Sequence, residues 1–82
     1  MKITIYSTSI CAPCHVLTGW LDKLGVSYTK KITDEDPAAM AEFMGVNDGL
    51  IAVPFTIIEA DDGTITKISG YDQPKFKQVL GL

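Results

Sequence analysis

The chain has no arginine: its cations are seven lysines, set against ten acidic residues for a net charge of −3. Arginine is the usual bidentate reader of phosphate and guanine, so its absence argues against a nucleic-acid partner. Cysteine is scarce, two residues in 82, which excludes a disulfide framework and points to a reducing compartment, the cytoplasm. Long apolar runs are missing as well. The longest, Leu50–Phe55, has six residues and contains a proline, far short of the roughly 20 that cross a bilayer. Strand-like residues begin at Lys2 with no charged lead and long apolar segment, so no signal peptide is read. Histidine occurs once; with two cysteines, that histidine and scattered carboxylates, the four ligands of a closed zinc site are not at hand. Repeats, linkers and low-complexity tracts are absent. The acidic clusters Asp34-Glu35-Asp36 and Asp61-Asp62 read as solvated loop or helix-start residues.

What is present is 46% hydrophobic, enough for one core and one domain over residues 1–82. Both cysteines fall within Ser9-Ile10-Cys11-Ala12-Pro13-Cys14-His15. The chain-entropy gain of a disulfide grows with the loop it closes, and this pair closes almost none. A structural staple is therefore a poor use of it, and a redox centre a better one.

The pattern along the chain places that tetrad. Lys2–Ser7 alternates Ile3 and Ile5 with polar neighbours, a strand. Val16, Leu17, Trp20, Leu21 and Leu24 predict an amphipathic helix from about Ala12 to Leu24, closed by Gly25. Val26–Ile32 reads as a second strand. Asp34 to Asp36 offer N-caps ahead of Pro37, and Met40, Phe43 and Met44 give the next helix its buried stripe, with Gly45 at its end. Val53–Glu59 is a β-branched strand, Ala60–Gly63 a tight turn, and Thr64–Ser69 the returning antiparallel strand. From Asp72 to about Leu80 a last helix turns Phe76, Val79 and Leu80 inward, with Pro74 in its first turn. The order β-α-β-α-β-β-α joins a parallel crossover unit to an antiparallel hairpin. It predicts an α/β fold: one mixed four-stranded sheet flanked on both faces by three helices.

Cys11 thus falls where a strand meets a helix. The unpaired N–H groups and positive dipole end there stabilise a thiolate, the species that attacks disulfides. Cys14, one turn further in, is placed to attack the mixed disulfide that forms and release the reduced substrate. Pro13, in the first helical turn, has no N–H to lose and stiffens the ring. A Cys-x-x-Cys in a β-α-β setting is a strong redox signal. His15 reads as an exposed helix-surface residue, with a general-base role left open. Pro54 is the second clue: in trans it suits only a sheet edge, whereas in cis it would bend the chain beside the tetrad and free the backbone of Val53.

With these residues in place, the chain resembles a known family. "IYSTSICAPC", "AVPF" on the third strand and "SGYDQPKF" before the last helix are similar to the layout of glutaredoxin-like proteins, of thioredoxin fold, over essentially the full length. The resemblance implies a thiol–disulfide oxidoreductase with Cys11 as nucleophile, Cys14 as resolver and Pro54 in cis. Thr8, Ala12, Pro13, Val53, Pro54, Gly70, Tyr71 and Asp72 would line the substrate groove, Tyr71 equally serving as packing. Glutathione-using members usually carry a cation in the turn before the first cysteine and a double glycine near the last helix. Here that turn is Ser7-Thr8-Ser9 and the glycine pair is Ser69-Gly70, although Asp72 could still hold a glutathione amino group. Ser-Gly-aromatic followed by proline instead resembles NrdH-redoxins, which take electrons from thioredoxin reductase and pass them to ribonucleotide reductase. Ile68, where those proteins usually have Trp, and the Ala-Pro dipeptide are departures from that pattern. Cys-x-Pro-Cys leans toward the roughly −270 mV of thioredoxin rather than the −200 to −230 mV of glutaredoxins. The expectation is a monomeric electron carrier with no cofactor beyond the Cys11–Cys14 disulfide. The alternatives are a glutathione-dependent glutaredoxin, an iron–sulfur carrier or a redox-inert adaptor.

Overall fold

Alternation in the first strand sets the plan of the molecule. The computed structural model describes all 82 residues, and β1 (Lys2–Ser7) lies inside a sheet of order β2-β1-β3-β4. It pairs in parallel with β2 (Thr29–Ile32), Ile5 opposite Lys30, and antiparallel with β3 (Phe55–Glu59), Ile5 opposite Thr56. β3 pairs with β4 (Ile65–Ser69) as a hairpin. Because successive strand residues point to opposite faces, Ile3 and Ile5 go one way and Tyr6 the other.

Two cores result. On one face Ile3, Ile5, Ile58 and Ile68 meet Leu17 and Leu21 of α1 (Ala12–Lys23) and Phe76 of α3 (Gln73–Leu80). On the other, Tyr6 and Phe55 meet Phe43 of α2 (Pro37–Val46), their rings tilted or edge-on at centroid distances of 5.7 and 5.8 Å. Offset and edge contacts of this kind are the favoured aromatic geometry. The predicted element order and the two-sided helix cover are both present.

Local chemistry explains the helix ends. Asp36 caps α2 by accepting from the Ala38 N–H at 3.0 Å, with Pro37 at the first helical position. Asp72 caps α3 through the Lys75 N–H at 3.2 Å. Gly25 follows α1 at φ +71, a left-handed position that a side chain would strain.

Several expectations need correction. Val26, Ser27 and Tyr28 do not join β2: they lead away from α1, Val26 and Tyr28 packing against the first core from outside the sheet. α2 passes through Gly45 to Val46 and ends at Asn47, because nothing at Gly45 breaks its ladder. Val53 and Pro54 precede β3, and Thr64 precedes β4. Met40 and Met44, expected in the core, are exposed, while Ala39 and Phe43 are buried. The helix is rotated by about one residue because the face beneath it is aromatic, and a small alanine lets one phenylalanine seat deeply. Val16 and Leu24 likewise point outward, leaving Leu17 and Leu21 as the buried face of α1 with Trp20 half-buried at its margin.

Candidate active site

The site stands at the C-terminal end of β1. Residues 8–11 connect β1 to α1, and Cys11 is the N-cap of α1 in extended conformation. Its sulfur accepts a hydrogen bond from the Cys14 N–H at 3.2 Å, and the His15 N–H bonds to the Cys11 carbonyl at 3.2 Å. Cys11 and Cys14 are joined as a disulfide, with their Cα atoms 5.2 Å apart. Both are buried, Cys11 at 7% exposure and Cys14 at 0%, so Cys11 is the nearer of the two to solvent. The helix N-terminus that holds Cys11 favours its thiolate over the thiol when the bond opens. Ala12 and Pro13 are exposed on the first turn, Pro13 within the first two helical positions. His15 is also exposed and lies on the outer side of α1.

The turn in front of Cys11 is clipped to the segment that follows β2. The Asp34 carboxylate accepts from the Ser9 N–H at 2.9 Å and from the Ser9 hydroxyl. One residue earlier, the Thr33 N–H and hydroxyl both donate to the Ser7 carbonyl, at 2.8 and 3.2 Å. The Ser9 hydroxyl, and after it the Ser9 backbone N–H, hold the Asp34 carboxyl below its ordinary value. Thr8 is half-buried in the middle of this turn. The sequence shows Asp34 only as one of three acidic residues that could start a helix. Nothing local distinguishes the one that reaches back 25 residues to Ser9.

The second wall comes from the far half of the chain. The Val53–Pro54 peptide is cis, Pro54 is buried, and Val53 is half-buried just ahead of β3. The β1–β3 register, Tyr6 opposite Phe55, brings Ser7 opposite Pro54 when continued by one residue. The Gly70 N–H donates to the Pro54 carbonyl at 2.8 Å, with Gly70 at φ +79, a conformation suited to glycine. Tyr71 packs and is also partly open to solvent. It is 37% exposed, and its ring stands edge-on to Trp20 at 6.0 Å, Trp20 in turn meeting Phe76 at 6.1 Å. Asp72 spends one carboxylate oxygen on capping α3. The structure thus brings Thr8, Ala12, Pro13, Val53, Pro54 and the Gly70–Asp72 segment to the end of the molecule that holds Cys11 and Cys14. Two exposed apolar residues stand beside the site in the chain, Ile10 at 93% and Ile51 at 73% exposure. They lie outside any strand or helix period, so patterning did not single them out. No three His, Cys, Asp or Glu side chains converge anywhere in the molecule, and no helix is long and apolar enough to cross a membrane.

No family model matches the chain, and no curated protein matches it by sequence. Solved structures do. The thioredoxin-like protein BC3987 superposes with a TM-score of 0.77 at 26% identity, covering 95% of this chain and 99% of that one. The glutaredoxin from Methanosarcina mazei Go1 superposes with a TM-score of 0.80 at 24% identity, over 99% of this chain and 79% of its own. NrdH-redoxin from Escherichia coli, a glutaredoxin-like protein with a thioredoxin-like activity profile, gives 0.75 at 23% identity over 96% and 95%. By its strand order, its helix placement and these neighbours, the chain has the thioredoxin fold, is similar to thioredoxin-like and glutaredoxin structures, and carries a Cys11–Cys14 disulfide at the start of its first helix.

Proposed function

We propose that the protein is a cytoplasmic, monomeric dithiol electron carrier of the NrdH-redoxin type, reduced by thioredoxin reductase and donating to ribonucleotide reductase. One observation carries the mechanism: Cys11 caps a helix and keeps 7% exposure, while Cys14 behind it has none. In the reduced protein the Cys11 thiolate attacks a substrate disulfide. A bond forms between Cys11 and one substrate sulfur, and the other substrate sulfur leaves with the electron pair. Cys14, as thiolate, then attacks Cys11; the mixed disulfide breaks and the second substrate sulfur departs reduced. Two electrons have passed and the Cys11–Cys14 disulfide is restored. The disulfide is itself the redox group, and no resident cofactor is required. Val53, Pro54, Gly70 and Tyr71 form the wall along which the substrate backbone lies.

The choice of reductant rests on the turn before Cys11. A glutathione molecule brings two carboxylates, which arginine or lysine would ordinarily meet. This turn offers Ser7, Thr8, Ser9 and Ile10, and the charged group bound to it is the Asp34 carboxylate. A negative group at that position disfavours either carboxylate of the tripeptide. The test supplies NADPH to the oxidised protein, with thioredoxin reductase in one arm and glutathione plus glutathione reductase in the other, and follows NADPH oxidation. Turnover with thioredoxin reductase alone is expected, and reduction of ribonucleotide reductase is then the next assay. Turnover with glutathione alone would make the protein a glutathione-dependent glutaredoxin, and failure in both arms would bring the iron–sulfur or inert-adaptor readings forward.

A further inference from the structure

Charge is not spread evenly over this molecule. The end of the sheet that holds Cys11 is built from residues 7–15, 33–37, 50–54 and 69–73. These segments carry Asp34, Glu35, Asp36 and Asp72 but no lysine. Elsewhere the seven lysines face only six acidic residues, so the net charge of −3 has its source at this end. None of the four carboxylates has a cationic partner: the ion pairs of the molecule join Met1 to Asp61, Lys31 to Glu42 and Lys67 to Asp48. Lys75, in the first turn of α3, lines a cavity that it shares with Met1, Ala60 and Asp62 from the opposite end of the sheet. Three helix N-termini also face the Cys11 end, each equivalent to roughly half a positive charge. Asp36 and Asp72 cap two of them and Cys11 the third. Together these ends offset less than half of the four carboxylates, and the rim stays negative.

Exposed apolar side chains stand beside this rim. Ile10, next to Cys11, is 93% exposed and Ile51 is 73% exposed. The exposure of Ile10 is built in. Ser9 before it is bound through its N–H and its hydroxyl to Asp34, and Cys11 after it caps α1, so the isoleucine is held out between two fixed residues. Apolar anchors ringed by charge of one sign complement a surface of the opposite sign that offers an apolar recess. A second copy of this chain does not fit, because its rim carries the same sign. We propose that the Cys11 face takes disulfides carried on cationic protein segments: lysine or arginine side chains of the partner meet Glu35, Asp36 and Asp72 while an apolar recess receives Ile10 and Ile51. This deepens the two-step exchange proposed above and rests on it. The sulfur chemistry is unchanged, and the rim governs encounter and orientation. Such steering fades with salt, since the screening length falls from about 30 Å at 0.01 M to about 8 Å at 0.15 M.

The test mixes the reduced protein with two synthetic disulfide peptides, identical except that lysines flank the disulfide in one and glutamates in the other. Loss of free thiols is followed by alkylation and mass spectrometry, and the intrinsic reactivity of each peptide is divided out with 2-mercaptoethanol. At about 0.01 M salt the lysine peptide should react about tenfold faster, and the gap should largely close at about 0.5 M. Glu35→Gln with Asp72→Asn keeps a capping side chain on α3 and should lose most of the low-salt preference. Ile10→Ser with Ile51→Ser should slow both peptides several-fold and leave the salt dependence in place. Equal rates for the two peptides at low salt, a preference that survives in the charge variant, or parental rates in the isoleucine variant would each overturn the proposal. So would self-association of the parent at low salt, seen by sedimentation and abolished by Ile10→Ser. Reduction of bis(2-hydroxyethyl) disulfide, small and uncharged, is scored separately. Its absence sinks the exchange mechanism, whereas its reduction without any preference between the peptides sinks the cationic partner alone.

Discussion

At the scale of the residue, the site works through inequality between like groups. Cys11 and Cys14 carry the same atom, yet one caps the helix with a small exposed area and the other is sealed beneath it. Cys11→Ser should therefore abolish disulfide reduction. Cys14→Ser should instead accumulate a mixed disulfide with substrate, visible as an added mass that dithiothreitol removes. Full activity in both variants would end the mechanism. Asp34 makes a similar argument about position. Its carboxyl is held below the ordinary value of about 3.9 by Ser9. A depressed folded value contributes stability that is present above the unfolded value and lost as pH falls through the folded one. The clip on Ser9 should thus persist at neutral pH and open in acid below the ordinary carboxylate range. Hydrogen exchange at the Ser9 amide reads this directly: Asp34→Ala should speed it several-fold at neutral pH, and acid should erase the difference between the two proteins. Of these residues the cysteines were legible from spacing alone, because a two-residue gap at a strand–helix junction restricts their chemistry. Asp34 was not, since its partner is distant in sequence and its two acidic neighbours present the same local signal.

At the scale of the element, α2 is instructive. Met40 and Met44 share a helical face, and so do Ala39 and Phe43, each pair four residues apart. Periodicity therefore permits either face, because Phe43 also falls three residues after Met40. The decision comes from the opposite side of the contact, where Tyr6 and Phe55 take one deep aromatic ring and a close-approaching alanine. Urea unfolding separates the two faces. Met44→Gln should change stability by less than about 0.5 kcal/mol, while Ala39→Leu should cost about 1–3 kcal/mol by overpacking. The reverse ranking would restore the methionine stripe. The other element boundaries differ from expectation where a β-rich stretch lacks a partner to pair with. Val26–Tyr28 has strand composition but no neighbour in register, since β1 meets β2 only from Thr29 onward.

At the scale of the whole molecule, the topology was readable because each crossover or hairpin has few physical solutions, whereas the side chains that one end of the sheet gathers were not. Asp34, Asp36 and Asp72 look like ordinary helix-start residues until the strand order brings their segments to one end of the sheet. Phe76 shows how thin the margin is: it is the single buried residue of α3, and that helix carries the Gly70–Asp72 wall at its start. Phe76→Ala should cost about 3–5 kcal/mol against a total of roughly 5–15 kcal/mol for a domain. Denaturant unfolding of the oxidised protein would show it, and a loss below 1 kcal/mol would mean that α3 is held by other means. The bond from the Gly70 N–H to the Pro54 carbonyl has a consequence of another kind. It fastens together the two segments that flank the cysteines, so the spacing between them is settled before any partner arrives and its ordering entropy is met in folding. A shuttle spends its working life in brief visits. In the electron carrier proposed above, with these jaws already set, the arrival and departure of a partner would need no reshaping of the protein.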